Sequence, residues 1–326
     1  MAITIQLTPD DLLKTRFAYS PLVELTISYH MLVHPQTHGP YRHWIDETQR
    51  ALHGIDFPFL TDLIAAKSDC HYMPDFLTPT PQSVQLDIEE EIRQILDLPA
   101  EIIRASIHRL IEKAGETDIR LFFLAHPHEA LFCLVEELRL YWKRALEPHW
   151  SRFTAILEGD VLYHARRQAL DGTAKMLNEV HPGLTYQDHI IQIDKPRLEQ
   201  LQLQGDGLQL VPSIFAGQSI HWQVVPEWHP MLIYAARGVG LWRQELSERN
   251  PSLELALGEG RARVLQILAI PSNTGEIARR LDITAGAASQ HLNRLNQAGL
   301  AEPYRNGKRV YYHLTDRGAQ LLALFA

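Results

Sequence analysis

The chain has 326 residues, of which 45% are hydrophobic, and a formal net charge of −8 at pH 7. A chain of this length can bury a large core and predicts two domains or more. Its two cysteines, Cys70 and Cys133, exclude a disulfide-stapled scaffold, and we expect them to be small, buried, reduced residues. No signal segment opens the sequence and no apolar run approaches the ~20 residues of a membrane span, so we expect a cytoplasmic protein without membrane contact.

The first 180 residues carry mainly helical signals. Ile3, Ile5 and Leu7 alternate with polar residues and predict an opening strand. Thr8 and Pro9 then form an N-cap followed by a proline in the first helical turn. The expected helices cover about residues 9–17, 21–34, 41–52, 57–66, 85–96, 99–113, 129–146, 151–170 and 173–180.

Two stretches of this region are less regular. Residues 69–83 contain Pro74, Pro79 and Pro81, a density that predicts a loop and a candidate lid over a pocket. The apolar run at 119–124 fits a strand or a helix equally well.

Residues 184–235 predict short strands at 190–193, 208–211, 220–225 and 231–234, separated by turn residues. We expect them to form a small antiparallel sheet, which the opening strand can join. The fold class is therefore α+β, with a mainly helical N-terminal domain over residues 1–240, helical at 8–180 and strand-rich at 184–235. A structured connector over 241–257 leads to a C-terminal winged helix-turn-helix over 258–326.

Residues 258–326 carry the most specific pattern in the chain. Apolar residues at helical spacing predict three short helices with the core positions Val264, Leu265, Leu268, Ile277, Ala278, Leu281, Ala288, Leu292 and Leu295. Asn273 to Glu276 has the form of a polar cap with glutamate three residues on, which begins the second helix. Thr284 is expected to cap the third helix, and Gly299 to end it.

The third helix has the outer face that a DNA-reading helix requires. Opposite its core positions lie Gly286, Gln290, Asn293, Arg294 and Gln297, with Ser289 and His291 on the flanks. A small, polar first half allows such a helix to enter the major groove, where Gln pairs with adenine and Arg with guanine or phosphate. We expect Gln290, Asn293 and Arg294 to read bases, with Ser289 and His291 beside them.

A hairpin follows the third helix and predicts a wing. Asn306 and Gly307 form the pair typical of a type I′ turn, and Val310, Tyr312 and Leu314 are expected to point inward. Thr315 is expected to cap a last short helix. We expect phosphate to be held by Thr284, Arg305, Lys308 and Arg309.

The charge distribution agrees with a DNA contact confined to one end. Residues 258–326 contain nine Lys and Arg against five Asp and Glu, a net charge of +4. Residues 1–257 contain 22 against 34, a net charge of −12. An acidic protein with one basic end is typical of a regulator that meets DNA only there.

This C-terminal region resembles the ArsR family of bacterial repressors. The matching segments are 274–278, 284–292, 295–300, 306–312 and 314–318, and they lie within a region of about seventy residues. The resemblance implies a regulator that binds palindromic operator DNA as a homodimer. Metal sensors of that family carry a cysteine pair where this chain has Asn273 and Gly275, and others use histidine with a carboxylate on the last helix, where only Asp316 stands. We therefore expect neither of the family's metal sites, and no cofactor.

The N-terminal region also resembles a long domain that precedes some ArsR-type winged helices. The segments that carry this likeness are 16–24, 34–35, 210–215 and 234–238. It implies a sensory or dimerising domain and no particular ligand.

Other chemistry has weaker signals. His30, His34, His38 and His43, with Cys70 and His71, have some metal-ligand spacings but lack any HExxH or CxxC framework. There is no Gly-x-Ser-x-Gly elbow and no nucleotide-binding glycine pattern, so we do not expect an enzyme. Six aromatic residues can line a ligand pocket or belong to the core, and these are Tyr141, Trp142, Trp150, Trp222, Trp228 and Tyr234.

The sequence thus predicts a transcriptional repressor that binds double-stranded operator DNA as a homodimer, with an unidentified small-molecule effector at the N-terminal domain. Two other classes remain open. One is a metal- or ligand-dependent enzyme with a tethered helix-turn-helix, and the other is a winged helix used for protein interaction.

Overall fold

The computed structural model describes residues 2–34, 41–64, 72–81, 83, 87–195, 198–217, 219–237, 250–268, 272–306 and 309–325. The chain forms two compact units. The first comprises Met1–His149 and Val161–Ala236, and the second comprises Trp150–Asp160 and Arg237–Ala326. The α+β class predicted from the sequence is confirmed.

The helices of the first unit follow the predicted order closely. They are α1 Pro9–Lys14, α2 Pro21–Val33, α3 Arg42–Ala51, α4 Pro58–Ile64, α5 Ile88–Leu96, α6 Ala100–Ala114, α7 Asp118–Ala125, α8 Pro127–Tyr141, α9 Trp150–Asp171 and α10 Thr173–Val180. The ambiguous run at 119–124 is the helix α7, because Thr117 caps it by accepting a hydrogen bond from the Arg120 amide. The first part of α9, Trp150–Asp160, belongs to the second unit.

The break predicted between α8 and α9 is present, and the backbone there is not α-helical. A π-helical turn over Trp142–Leu146 follows α8, and a 3₁₀ turn over Glu147–His149 precedes α9. Pro148 lies in that 3₁₀ turn and lacks the amide hydrogen that a continuous α-helix would use.

The strands of the first unit form two four-stranded sheets. They are β1 Ala2–Gln6, β2 Arg16–Phe17, β3 Leu184–Gln187, β4 Ile190–Asp194, β5 Glu199–Gln202, β6 Gln209–Ser213, β7 His221–Gln223 and β8 Met231–Ala235. The first sheet has the order β3-β4-β1-β5, in which β1 pairs antiparallel with β4 and parallel with β5. The second has the order β2-β6-β8-β7, in which β2, β6 and β8 are parallel.

The prediction of one antiparallel sheet is therefore wrong, although the opening strand does join a sheet as expected. Alternation of apolar and polar residues decides which side chains are buried but not which strand is the neighbour. Whether two neighbouring strands are parallel or antiparallel depends on the path of the chain segment that joins them. The β6–β8 connection passes through β7, so β8 returns beside β6 in the same direction.

The Pro-rich stretch is a loop, as predicted, but its described part is not a lid. Pro74 to Pro81 is buried, with one 3₁₀ turn at Asp75–Leu77. The Thr26 hydroxyl donates to the Leu77 carbonyl at 2.9 Å, and Arg109 binds the Asp75 carboxylate at 2.8 Å. Thr26 thus satisfies a buried backbone carbonyl and Arg109 pairs with a buried carboxylate, and either group would be costly to bury alone.

The first helix is anchored by a buried carboxylate. Asp11 accepts hydrogen bonds from the Thr8 amide and hydroxyl and from the amides of Gly205 and Gly207, all between 2.8 and 3.0 Å. Burial opposes ionisation, but these bonds favour the charged form and lower the pKa of Asp11. Gly207 has φ +95° and lies against the Lys14 carbonyl, so a side chain there would clash.

Three of the four segments that carry the N-terminal resemblance, 16–24, 210–215 and 234–238, come together in space. Residues 16–17 form β2, which pairs with β6 inside segment 210–215, and β8 contains the start of segment 234–238. Glu24 of α2, which is fully buried, accepts the Ile214 amide at 2.7 Å. The residues that carry this resemblance therefore lie where α2 packs on the second sheet.

Tyr141 and Tyr234 belong to the core, since both are fully buried. Tyr141 packs edge-on against Tyr29 and Phe57 and shares a 3.0 Å hydrogen bond with Ser28. Cys133 is exposed on α8, so the expectation that it is buried is wrong. Cys70 lies outside the described residues.

Within the described residues, the second unit adds five short helices and a three-stranded sheet. They are α11 Pro251–Leu257, α12 Glu259–Ile267, α13 Thr274–Leu281, α14 Ala285–Gln297 and α15 Asp316–Ala323, with β9 Ser272–Asn273, β10 Ala301–Asn306 and β11 Arg309–Leu314. The antiparallel order is β10-β11-β9. One core joins these elements, including every core position predicted for the three helices except Leu281, which packs on it partly buried.

Candidate nucleic-acid interface

The helix before the turn, α13, begins and ends as its sequence dictates. Asn273 accepts the Glu276 amide at 3.0 Å while Glu276 accepts the Asn273 amide at 3.2 Å, which is the predicted capping box. The helix ends at Asp282 in the left-handed conformation, with φ 53°. The Ile283 amide then donates back to the Ala278 carbonyl at 3.0 Å. This reversal sets the direction of the next helix.

The predicted cap of α14 is confirmed. The Thr284 hydroxyl accepts the Ala287 amide at 3.2 Å. Ala288, Leu292 and Leu295 are buried in the core of the unit. Thr284 is exposed, and its hydroxyl keeps a hydrogen to donate because the cap uses only a lone pair.

The opposite face of α14 lies in solvent. Gly286, Gln290, Asn293 and Arg294 are all exposed. Within the described part of the chain, none of these side chains makes a hydrogen bond or ion pair. Their polar groups are therefore available to a partner along the first three turns.

The two flanking residues face differently. Ser289 is partly buried, and the His291 ring lies against α12. A Cβ placed on Gly260 would meet His291 Cε1 at 2.6 Å. His291 thus fills the space that a glycine leaves between two helices, next to the core rather than on the exposed stripe.

The turn after α14 holds the last helix in place. Gly299 takes φ +67°, and the Leu300 amide donates to the Leu295 carbonyl at 2.9 Å, so glycine ends the helix as predicted. The Thr315 hydroxyl donates to the Gly299 carbonyl at 2.6 Å and accepts the Gly318 amide at 3.1 Å. Thr315 is therefore the predicted cap of α15 and also ties it to this turn.

The wing is the hairpin β10–β11, with Asn306 paired in register with Arg309. Arg305 is exposed near its end. Gly307 of the predicted turn pair and Lys308 lie outside the described residues. Tyr312 and Leu314 pack on the core as expected, but Val310 is 45% exposed, so its predicted inward position is wrong. The hairpin extends beyond the core at that position.

The other face of the wing is aromatic. Tyr304 stacks on Tyr311 with 5.8 Å between ring centroids and meets His313 edge-on at 5.5 Å. Burial raises the pKa of Tyr304, and the Glu158 carboxylate adds to the effect. Glu158 belongs to the first part of α9, so that segment lies close to the wing within the second unit.

Two arginines of this unit also lie near each other. Burial, and after it the guanidinium of Arg280, lowers the pKa of Arg152 to about 10, while Glu276 opposes the shift. Burial also lowers the pKa of Arg280. Nothing in the sequence indicated this electrostatic interaction, because Arg152 and the helix α13 are separated by more than one hundred residues.

An open cleft of about 470 Å³ adjoins the start of α13 and is lined by Asn273, Thr274, Gly275, Glu276, Arg279 and Val310. It contains the two positions at which metal sensors of the resembled family carry cysteine, and here it offers no thiol. Glu276 is engaged in the capping box. No group of three or more His, Cys, Asp or Glu residues is arranged to hold a metal in the part of the chain that the structure describes. His38, Cys70 and His71 lie outside that part.

Residues 260–304 match the family model of a helix-turn-helix domain. No curated protein and no solved structure matches the chain. The matched residues span α12, α13, α14 and the first strand of the wing. The geometry and the match together indicate a DNA-binding domain of the kind that serves transcription regulation. Among the described helices, none is both long and apolar enough to cross a bilayer.

Proposed function

We propose that this protein is a transcriptional repressor of the cytoplasm that binds operator DNA as a homodimer. The observation that carries the proposal is α14, whose capped first turn and polar face are exposed while its other face is buried in a helix-turn-helix core. A helix presented in this way enters the major groove with its first turns.

Each candidate residue has a role in this docking. Gln290, Asn293 and Arg294 read base edges, and Gly286 allows the backbone to approach them closely. Ser289 and His291 support the reading face. Thr284, Arg305, Lys308 and Arg309 contact phosphates and set the position of the domain on the duplex.

Dimerisation would match a palindromic site. Two copies of α14 related by a twofold axis would enter successive major grooves about 34 Å apart. The first unit would bind a small-molecule effector and would act through binding, not catalysis. An effector that binds one arrangement of the dimer more tightly would favour that arrangement and so change the affinity for DNA. The size of the change is limited by the difference between the effector's affinities for the two arrangements.

The test is binding of the purified full chain to DNA from its own promoter region, against scrambled competitor, over a series of salt concentrations. The proposal is supported if a dimer binds this DNA specifically and if the logarithm of its affinity falls linearly with the logarithm of the salt concentration. Repression is then read from a reporter under that promoter, with and without the protein.

The competing classes give different results in the same preparation. A winged helix used for protein interaction would show no salt-dependent DNA binding at all. A metal-dependent enzyme with a tethered helix-turn-helix would retain stoichiometric metal on elemental analysis after purification.

A further inference from the structure

The chemistry of the exposed face of α14 narrows the DNA sequence that it would read. The helix contains no Asp or Glu, and its only Lys or Arg is Arg294. Carboxylates accept from cytosine, and arginine or lysine pairs with guanine, so most of this face lacks the groups that favour G·C pairs. What it presents instead is a set of side-chain amides.

Gln290 lies at the centre of this face. At 100° per residue it is opposite the middle of the buried set Ala288, Leu292 and Leu295. It is in the second turn, within the half of a recognition helix that reaches base edges. Gly286 precedes it by one turn and adds no side chain, so the backbone can approach the groove there.

Asn293 is the neighbouring amide on the same face. Three residues of helix rise by about 4.5 Å, close to the ~3.4 Å between stacked base pairs. Gln290 and Asn293 can therefore meet two adjacent base pairs. Each amide has an acceptor and two donors, which match N6 and N7 of adenine. Both are free of internal hydrogen bonds within the described residues.

The first turn adds an apolar group. Ala285 is exposed at the start of the helix, and an alanine methyl is the kind of group that recognises the 5-methyl of thymine. Building on the proposed function, we infer that Gln290 and Asn293 read two adjacent A·T base pairs in each half-site of the operator, each amide pairing with an adenine.

The experiment selects binding sites for the full chain from a pool of random duplexes, followed by sequencing. Five proteins are compared: wild type, Gln290→Ala, Asn293→Ala, Gln290→Arg and the control Gln297→Ala. Gln297 is an amide on the same face but in the last turn. The three substituted positions are exposed, and circular dichroism verifies that each protein is folded. Wild type should enrich two adjacent A·T pairs per half-site.

In each of the two alanine test variants, the preference for adenine should fall about ten-fold at one of those pairs. Gln290→Ala and Asn293→Ala should affect different pairs. Gln297→Ala should keep both preferences. Gln290→Arg should replace adenine by guanine at the Gln290 position.

Enrichment of sites without adjacent A·T pairs, or unchanged preferences in both test variants, would overturn the inference while leaving DNA binding intact. A wild-type protein that enriches no sequence and shows no salt-dependent binding would overturn the proposed function itself, and the inference with it.

Discussion

Gly318 lies directly against the backbone carbonyl of Leu300, with no room for a side-chain carbon between them. The same carbonyl accepts the Thr315 amide at 3.1 Å, so it cannot turn away without losing a hydrogen bond. This contact fixes α15 against the end of α14. It explains physically why the segment 314–318 ends in glycine.

Gly318→Ala should therefore destabilise the second unit by about 1–3 kcal/mol, because the added methyl forces the backbone apart. The measurement is chemical denaturation of the full chain. Gly286→Ala is the control, since the nearest atom to its added methyl would be Thr284 Oγ1 at 3.9 Å. That variant should gain roughly 0.5–1 kcal/mol from helix propensity. Equal stability of the two variants would contradict the packing described here.

Asp282 takes a left-handed backbone conformation at the turn between α13 and α14. Asp282→Gly should stabilise the protein by about 0.5 kcal/mol, because glycine adopts this conformation without steric cost. Asp282→Val should destabilise it by more than 1 kcal/mol, since a β-branched side chain is strongly disfavoured there. Thermal unfolding of the pair measures the difference. A valine variant as stable as the glycine variant would show that the turn does not need this conformation.

Glu91 predicts a pH dependence of stability. It is fully buried, and only one of its oxygens, Oε2, accepts the Leu22 amide, at 2.7 Å. Burial raises its pKa to about 8, above the ordinary value of 4.5. Between these values the folded state keeps a proton that the unfolded state releases, so stability falls as pH rises from about 4.5 to 8.

Glu91→Gln keeps a neutral acceptor for the Leu22 amide but has no proton to lose. It should reduce the slope of the free energy of unfolding against pH by on the order of 1 kcal/mol per pH unit. Denaturant unfolding at a series of pH values from 5 to 8 is the measurement. Glu129→Gln, on a side chain that is 74% exposed, is the control and should leave the slope unchanged. A wild-type slope that survives in Glu91→Gln would assign the proton to another group, with Glu24 the first to be tested.

Arg305 tests the role of the wing in the proposed function. It is exposed beside Asn306, and we expect it to contact phosphate. Arg305→Ala should weaken binding to all DNA sequences about equally and reduce the slope of log affinity against log salt by about one. The control is Arg93→Ala, which removes the same charge from an exposed position in the first unit. It should change neither the DNA affinity nor the slope against salt. A changed base preference in Arg305→Ala would mean that the wing reads sequence.

The sequence alone predicted the elements of the DNA-reading domain. Caps at Asn273, Thr284 and Thr315 and the glycine after α14 depend on bonds between residues close in the chain, so local spacing is sufficient to recognise them. The buried and exposed faces of α14 followed in the same way from its period of 3.6 residues.

What depended on distant partners could not be predicted. The two sheets of the first unit, the burial of the Pro-rich loop and the place of Trp150–Asp160 in the second unit all arise from contacts between residues far apart in sequence. Periodicity states which face of an element is apolar, but it carries no information about which other surface covers that face. Only the tertiary structure decided those pairings, because they depend on the shapes and directions of elements that the chain brings together when it folds.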